Sequence, residues 1–102
     1  MARPSFDLTP EAQADLADIL LTIAEDSPRI AERIRLQLLE ELRRLGRNPG
    51  IGHYREDLLS RRYRFWGFYR YVIVYAWQTK PVRIIAVLHG ARDLGALLGT
   101  RG

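Results

Sequence analysis

The chain opens on an alternating stretch, with Pro4, Phe6 and Leu8 set against Ser5 and Asp7. A period of two puts one set on each face of extended backbone, so a short strand is predicted over 3–8, with Pro4 suited to an edge or first position. The period then changes. Ala12, Leu16, Ile19, Leu20 and Ile23 recur at three- and four-residue spacing, the mark of a helix over 10–25 with one apolar stripe. Thr9 is placed to cap it, Pro10 suits the first helical position, and Glu11 favours the positive end of the helix dipole. A second start, "DSPRIAE", follows at once, with Ser27 as cap and Pro28 after it. It predicts a helix over 28–46 with Ile30, Ile34, Leu38, Leu42 and Leu45 along one face. Arg33, Glu40, Arg43 and Arg44 lie opposite, Glu40 and Arg44 one turn apart and able to pair. Leu36 breaks the pattern, an apolar residue among charges. Two amphipathic helices joined by two or three residues make an antiparallel hairpin.

"NPGIGHYRED" cannot continue a helix and reads as loop. The period of two returns after it. "RFWGFYRYVIVYAW", residues 64–77, holds seven of the ten aromatic residues with two arginines and no acid. It reads as two strands turning near Gly67, over 63–66 and 68–77. In the second, Tyr69, Tyr71, Ile73, Tyr75 and Trp77 share one face and Arg70, Val72, Val74 and Ala76 the other. "TKP" turns the chain into a strand over 81–88, where Val82, Ile84, Ala86 and Leu88 oppose Arg83, Ile85, Val87 and His89. A turn or short helix is predicted over 91–98. The order is β-α-α-β-β-β, an α+β class with an antiparallel helical hairpin on one face of a small, mainly antiparallel sheet. The long strand is apolar on both faces. One meets the helices; the other calls for cover by the tail, a partner or a ligand.

Composition narrows the chemistry. At 102 residues the chain fits one domain. It has no cysteine, hence no disulfide frame, thiolate metal site or thiol nucleophile, and two isolated histidines make no metal site. No apolar run approaches the ~20 residues of a membrane helix and no signal sequence opens the chain, so a cytoplasmic protein is expected. Net charge is +4, unevenly spread. Residues 1–26 carry one basic and six acidic groups, a net of −5, and the remainder fifteen basic and six acidic, a net of +9. The second part therefore suits an acidic partner, protein or phosphate backbone, although an arginine-rich composition alone gives the same balance.

No serine sits in a glycine-flanked elbow, and "NPGIGH" lacks the lysine–serine element and the strand-to-helix context of a phosphate loop. What remains is a basic, aromatic sheet. Rings can stack on bases while guanidinium groups grip phosphates. Metal-free RNA cleavage needs a base, cations for the developing charge and an acid for the leaving oxygen; Arg64, Arg83 and His89 could supply the last two functions. The same residues read equally well as structural: aromatics as core, arginines as surface ion pairs, His89 as a hydrogen-bonded strand end.

"SFDLTPEAQADLADI", "NPGIGHYREDL", "RYRFWGFYRYVIVY" and "VLHGARDL", in this order and at this distance, resemble the toxins of the ParE/RelE superfamily, the poison halves of bacterial type II toxin–antitoxin modules. The resemblance spans nearly the whole chain and implies the RelE/ParE-like fold, the same strand and helix order as above. RelE-like members are similar to ribosome-dependent endonucleases acting on messenger RNA, under which Arg64, Arg83 and His89 are the catalytic candidates. ParE-like members, which look closer, imply a gyrase poison without catalytic residues. The loop 48–62 has Arg55, Arg61 and Arg62 but no lysine, and the end reads "HGARDL". The resemblance further implies a ParD-like antitoxin in a hetero-oligomer, a role in plasmid stabilization, and no cofactor or metal. Contact candidates for antitoxin or target are Leu36, Trp66, Phe68, Arg70, Tyr71 and Arg92. A degenerate toxin that binds its antitoxin and poisons nothing is the third reading.

Overall fold

The computed structural model describes residues 5–55, 61–89 and Arg101. The element order is β1 (Phe6–Leu8), α1 (Pro10–Asp26), α2 (Pro28–Arg47), a 3-10 turn (Pro49–Ile51), β2 (Tyr63–Phe68), β3 (Tyr71–Ala76) and β4 (Val82–His89). The four strands lie in the order β1-β4-β3-β2. β4 pairs parallel with β1 and antiparallel with β3, and β3 pairs antiparallel with β2. This is the α+β arrangement expected of the RelE/ParE-like fold. The expected turn or short helix over 91–98 and the candidate Arg92 lie outside the described residues.

Capping sets the helix ends. Thr9 Oγ1 accepts from the Ala12 N–H at 3.1 Å, and Pro10 follows at the first position. A single residue separates the helices, one fewer than the shortest expected link. Ser27 donates its N–H to the Ile23 carbonyl, closing α1, while its Oγ accepts from Ile30 N–H at 3.2 Å, opening α2. Glu40 reaches Arg43 and Arg47, each at 3.5 Å, in place of Arg44, which lies 3.9 Å from Glu41. These exposed pairs are each worth about 0–1 kcal/mol.

The helices cover one sheet face. Ala12, Leu38, Leu42 and Leu45 join Phe68, Ile73, Tyr75, Val82, Ile84 and Val87 in the main core. Gly46 lets α2 lie directly against β1: a Cβ there would collide with the Ser5 carbonyl.

Two details depart from strict alternation. First, the hairpin turns at Tyr69 and Arg70, not near Gly67. β2 runs through Gly67 to Phe68, which faces Tyr71. Second, Val74 faces Ala86 while Tyr75 faces Ile84, so Ile85 is an extra residue on β4. One such bulge reverses the side-chain faces beyond it. Val82, Ile84 and Val87 therefore point to the helices, while Ile85, Ala86 and Leu88 join the second face. The expected grouping of Val82 and Ile84 with Ala86 and Leu88 does not hold.

That second face is not bare. Tyr63, Phe65, Val74, Ile85, Ala86 and Leu88 form a second cluster and are all buried, Val74 and Ala86 completely. The guanidinium groups of Arg62 and Arg55 lie over the rings of Tyr63 and Phe65. The chain itself closes this face, so the apolar strand pattern needs no partner to explain it.

The margin of β4 past β1 is sealed by polar groups. Asp15 Oδ2 accepts the Val87 N–H at 3.0 Å. Arg101 grips Asp15 with both terminal nitrogens, at 2.6 and 3.1 Å, and reaches the Ile85 carbonyl at 3.4 Å. Both side chains are largely buried, so this pair fastens the chain's end to α1 and the bulge.

Candidate functional site

The 3-10 turn and the loop after it run along the end of the sheet where β2 begins. Tyr75 fixes them there. Its hydroxyl donates to the Pro49 carbonyl at 2.6 Å and accepts the Gly52 N–H at 2.9 Å. Gly52 packs so closely on the phenol that a Cβ would strike its oxygen. Burial holds the Tyr75 phenol above the ordinary tyrosine value, opposed by the Gly52 N–H and by the charge of Arg64. His53 then exchanges two backbone hydrogen bonds with Phe65, both 2.8 Å, and covers the middle of the free β2 edge.

The placement of Tyr54 follows, and it decides the role of Arg64. The Arg64 guanidinium lies 4.2 Å from the Trp77 ring centre and 4.3 Å from that of Tyr54. It donates to the Gly52 carbonyl at 2.8 Å and to the Tyr54 hydroxyl at 3.4 Å. Arg61 stands over Tyr54 at 4.3 Å, and its carbonyl accepts from the Trp77 indole at 3.0 Å. Such stacking gives Arg64 a structural post, holding loop to strand through cation–π and hydrogen-bond contacts.

The other two cleavage candidates lie elsewhere. Exposed Arg83 faces half-buried Asp7 across the β1–β4 pair, its Nε 3.6 Å from the carboxylate. His89 closes β4 at its far end, exposed, its ring 5.4 Å edge-on from Tyr71. Arg83 and His89 are six positions apart along β4, roughly 20 Å. Arg64, Arg83 and His89 do not converge on a common point. Among the described residues no cluster of His, Cys, Asp or Glu could hold a metal ion.

The contact candidates divide by exposure. Leu36 is 54% exposed on α2, and Arg70 is exposed in the hairpin turn. Trp66 is half-buried, stacked on His53 with ring centres 6.0 Å apart, beneath Arg44 and donating to Glu41 Oε1 at 3.4 Å. Tyr71 is also half-buried, and Phe68 is buried in the core. Sequence reasoning overlooked Tyr54, Tyr75, Asp15 and Tyr69. Tyr75 and Asp15 act through backbone groups distant in sequence and Tyr54 through the side chains of Arg61, Arg64 and Trp77, none of which leaves a local spacing to read. For Tyr69 a signal existed: a short turn between two strands needs positive φ, and "FYRY" was the other place to put it.

Two clefts flank these groups. One of about 750 Å³ lies where α2 ends and β3 passes into β4; Arg47, Lys80, Trp77, Gln78 and Thr79 are among its lining. The other, about 410 Å³, lies between α2 and the β2–β3 hairpin.

The architecture is that of a small α+β domain in which Asp15 and Arg101 are paired and Arg61 and Arg64 are stacked on rings, with polar and aromatic surface offered at its two ends. A family model described as the ParE toxin of the type II toxin–antitoxin system, parDE, matches residues 6–94, and the chain belongs to this toxin family. It is thus the toxin of a type II toxin–antitoxin system, and an antitoxin is its partner. No curated protein matches the chain significantly.

Proposed function

We propose that this toxin is held inactive by a ParD-like antitoxin and, once released, acts by binding DNA gyrase rather than by catalysing a reaction. The observation that carries this reading is the dispersal of Arg64, Arg83 and His89: the first stacks on the rings of Tyr54 and Trp77, the second faces an acid, and the third lies roughly 20 Å along the strand. Metal-free RNA cleavage needs its cation and its acid within hydrogen-bond reach of one phosphate. A binding poison needs none of that.

The antitoxin part follows from charge. Arg47, Arg61 and Lys80 gather around Trp77 beside the larger cleft, so acidic, flexible segments are drawn to this end and fold upon it. Co-expression with the product of an adjacent short open reading frame tests this: a stable complex and restored growth are expected.

For the target, the purified toxin should inhibit supercoiling by gyrase and trap cleaved DNA, and DNA synthesis should fall before protein synthesis after induction. Undiminished supercoiling at large toxin excess would sink the gyrase reading. Early arrest of translation, abolished by His89→Ala in a folded protein, would favour the ribosome instead. His89→Ala is expected to remain fully toxic.

A further inference from the structure

The β2–β3 hairpin closes on Tyr69 and Arg70, and Tyr69 has φ 54°, in the left-handed region. Glycine takes that conformation freely, whereas a bulky side chain there is strained. Here the position carries a tyrosine that is 68% exposed, so burial is not its reward. Two contacts hold the ring upright. Its hydroxyl donates to Gln37 Oε1 at 2.6 Å, and Phe68 meets it edge-on with ring centres 4.8 Å apart. The hairpin register does not depend on them, since the six cross-strand pairs from Tyr63↔Ala76 to Phe68↔Tyr71 already set it.

The smaller cleft lies beside this ring, lined by Phe68 and Gly67 on the hairpin and by Gln37, Glu40 and Glu41 on α2. Open space surrounds Gly67. Leu36, the misplaced apolar residue of α2, directly precedes Gln37 and is itself exposed. The charged groups lining the cleft are carboxylates, although the chain beyond residue 26 has a net charge of +9. Their arginine neighbours sit at 3.5 to 3.9 Å and are solvent-exposed, so those contacts are easily exchanged.

We propose that Tyr69 is the anchor by which the toxin grips its protein target, which places a segment of apolar and basic character in the cleft between Tyr69 and Glu41. The inference rests on the binding reading above and names the surface that does the binding. An aromatic ring already fixed in a strained turn loses little freedom on association, and such residues dominate interface energies. The carboxylates select against an acidic antitoxin segment, which leaves the target as occupant.

The substitution Tyr69→Gly separates this role from a structural one, because it relieves the backbone while deleting the ring. The variant should match or exceed the wild type in urea midpoint, still bind its antitoxin, and lose growth arrest on induction, with target affinity reduced at least tenfold. Tyr69→Phe, which keeps the ring and loses the Gln37 bond, should retain most toxicity. A Tyr69→Gly variant as toxic as wild type overturns the proposal, as does one that loses antitoxin binding as well. Wild-type toxin that arrests growth but leaves gyrase untouched removes gyrase and not the anchor; growth arrest still reads Tyr69.

Discussion

Removing the Tyr75 hydroxyl should destabilise the fold more than its single oxygen suggests. Tyr75→Phe leaves the Pro49 carbonyl and the buried Gly52 N–H without their partner, a loss of about 1–3 kcal/mol, measurable as a lower urea midpoint. The same residue ties stability to alkaline pH. Because burial raises its folded pKa, the phenol stays protonated in the native state while the unfolded chain ionises near its ordinary value of 10.0. Its contribution is complete below that value and is lost as pH rises toward the raised native pKa. Tyr75→Phe should therefore show a shallower fall in midpoint above pH 10.0 than the wild type. Gly46 and Gly52 are constrained in another way. A methyl group at Gly46 meets the Ser5 backbone, which cannot swing aside, so Gly46→Ala should cost about 1–3 kcal/mol by thermal denaturation. Nothing in "RRLGRNPGIG" distinguishes these two glycines from a helix stop and a loop filler. Their necessity lies in atoms contributed by Ser5 and Tyr75.

At the scale of elements, the bulge at Ile85 is the main decision. It turns Val87 toward the helices, on the margin of β4 where, past Leu8, no strand among the described residues pairs with it. Asp15 from α1 meets the Val87 N–H there, and Arg101 the Ile85 carbonyl. Asp15→Ala therefore removes the Val87 acceptor and strands a largely buried guanidinium, with an expected loss of about 3 kcal/mol in chemical denaturation. Asp15→Asn, which keeps an oxygen for Val87, should lose less. The helix starts, by contrast, were readable from local chemistry: Thr9–Pro10 and Ser27–Pro28 announce them, and both hydroxyls cap as expected. The strands were legible as elements but not in their ends. The period of two continues through "RFWGFYRYVIVYAW" whether the turn falls at Gly67 or at Tyr69, and glycine drew the turn to itself. Gly67 instead lies within β2 beside open space.

For the whole molecule, the feature with the clearest consequence is the separation of charge. An acidic antitoxin attracted to the end that carries Arg47, Arg61 and Lys80 should associate more slowly as salt rises, since the Debye length falls from ~10 Å at 0.1 M to ~3 Å at 1 M. Stopped-flow association rates should drop steeply with ionic strength while dissociation changes little. Binding at the Tyr69 end, where an aromatic ring acts beside two carboxylates, should weaken less steeply with salt. The expectation of one open sheet face does not survive at this scale. Both faces are lined by buried side chains, and the exposed large apolar residues among those described, Leu21, Ile30, Leu36 and Tyr69, lie on the helices and the hairpin turn.

The amino-acid sequence by itself determined what depends on near neighbours: the element types, the helix caps, the helical hairpin, the α+β order and the family to which they belong. Periodicity and capping act over a few residues, so they can be read without coordinates. Only the tertiary structure decided what each strong side chain is used for. Arg64 became a post because Tyr54 and Trp77, set edge to face, both bring their rings against it, and His89 stands apart because β4 carries it to the far end of the sheet. Tyr69 was left exposed because the turn formed beneath it. These outcomes rest on groups distant along the chain meeting in space, and only the packing of helices on a bulged sheet fixes which ones meet.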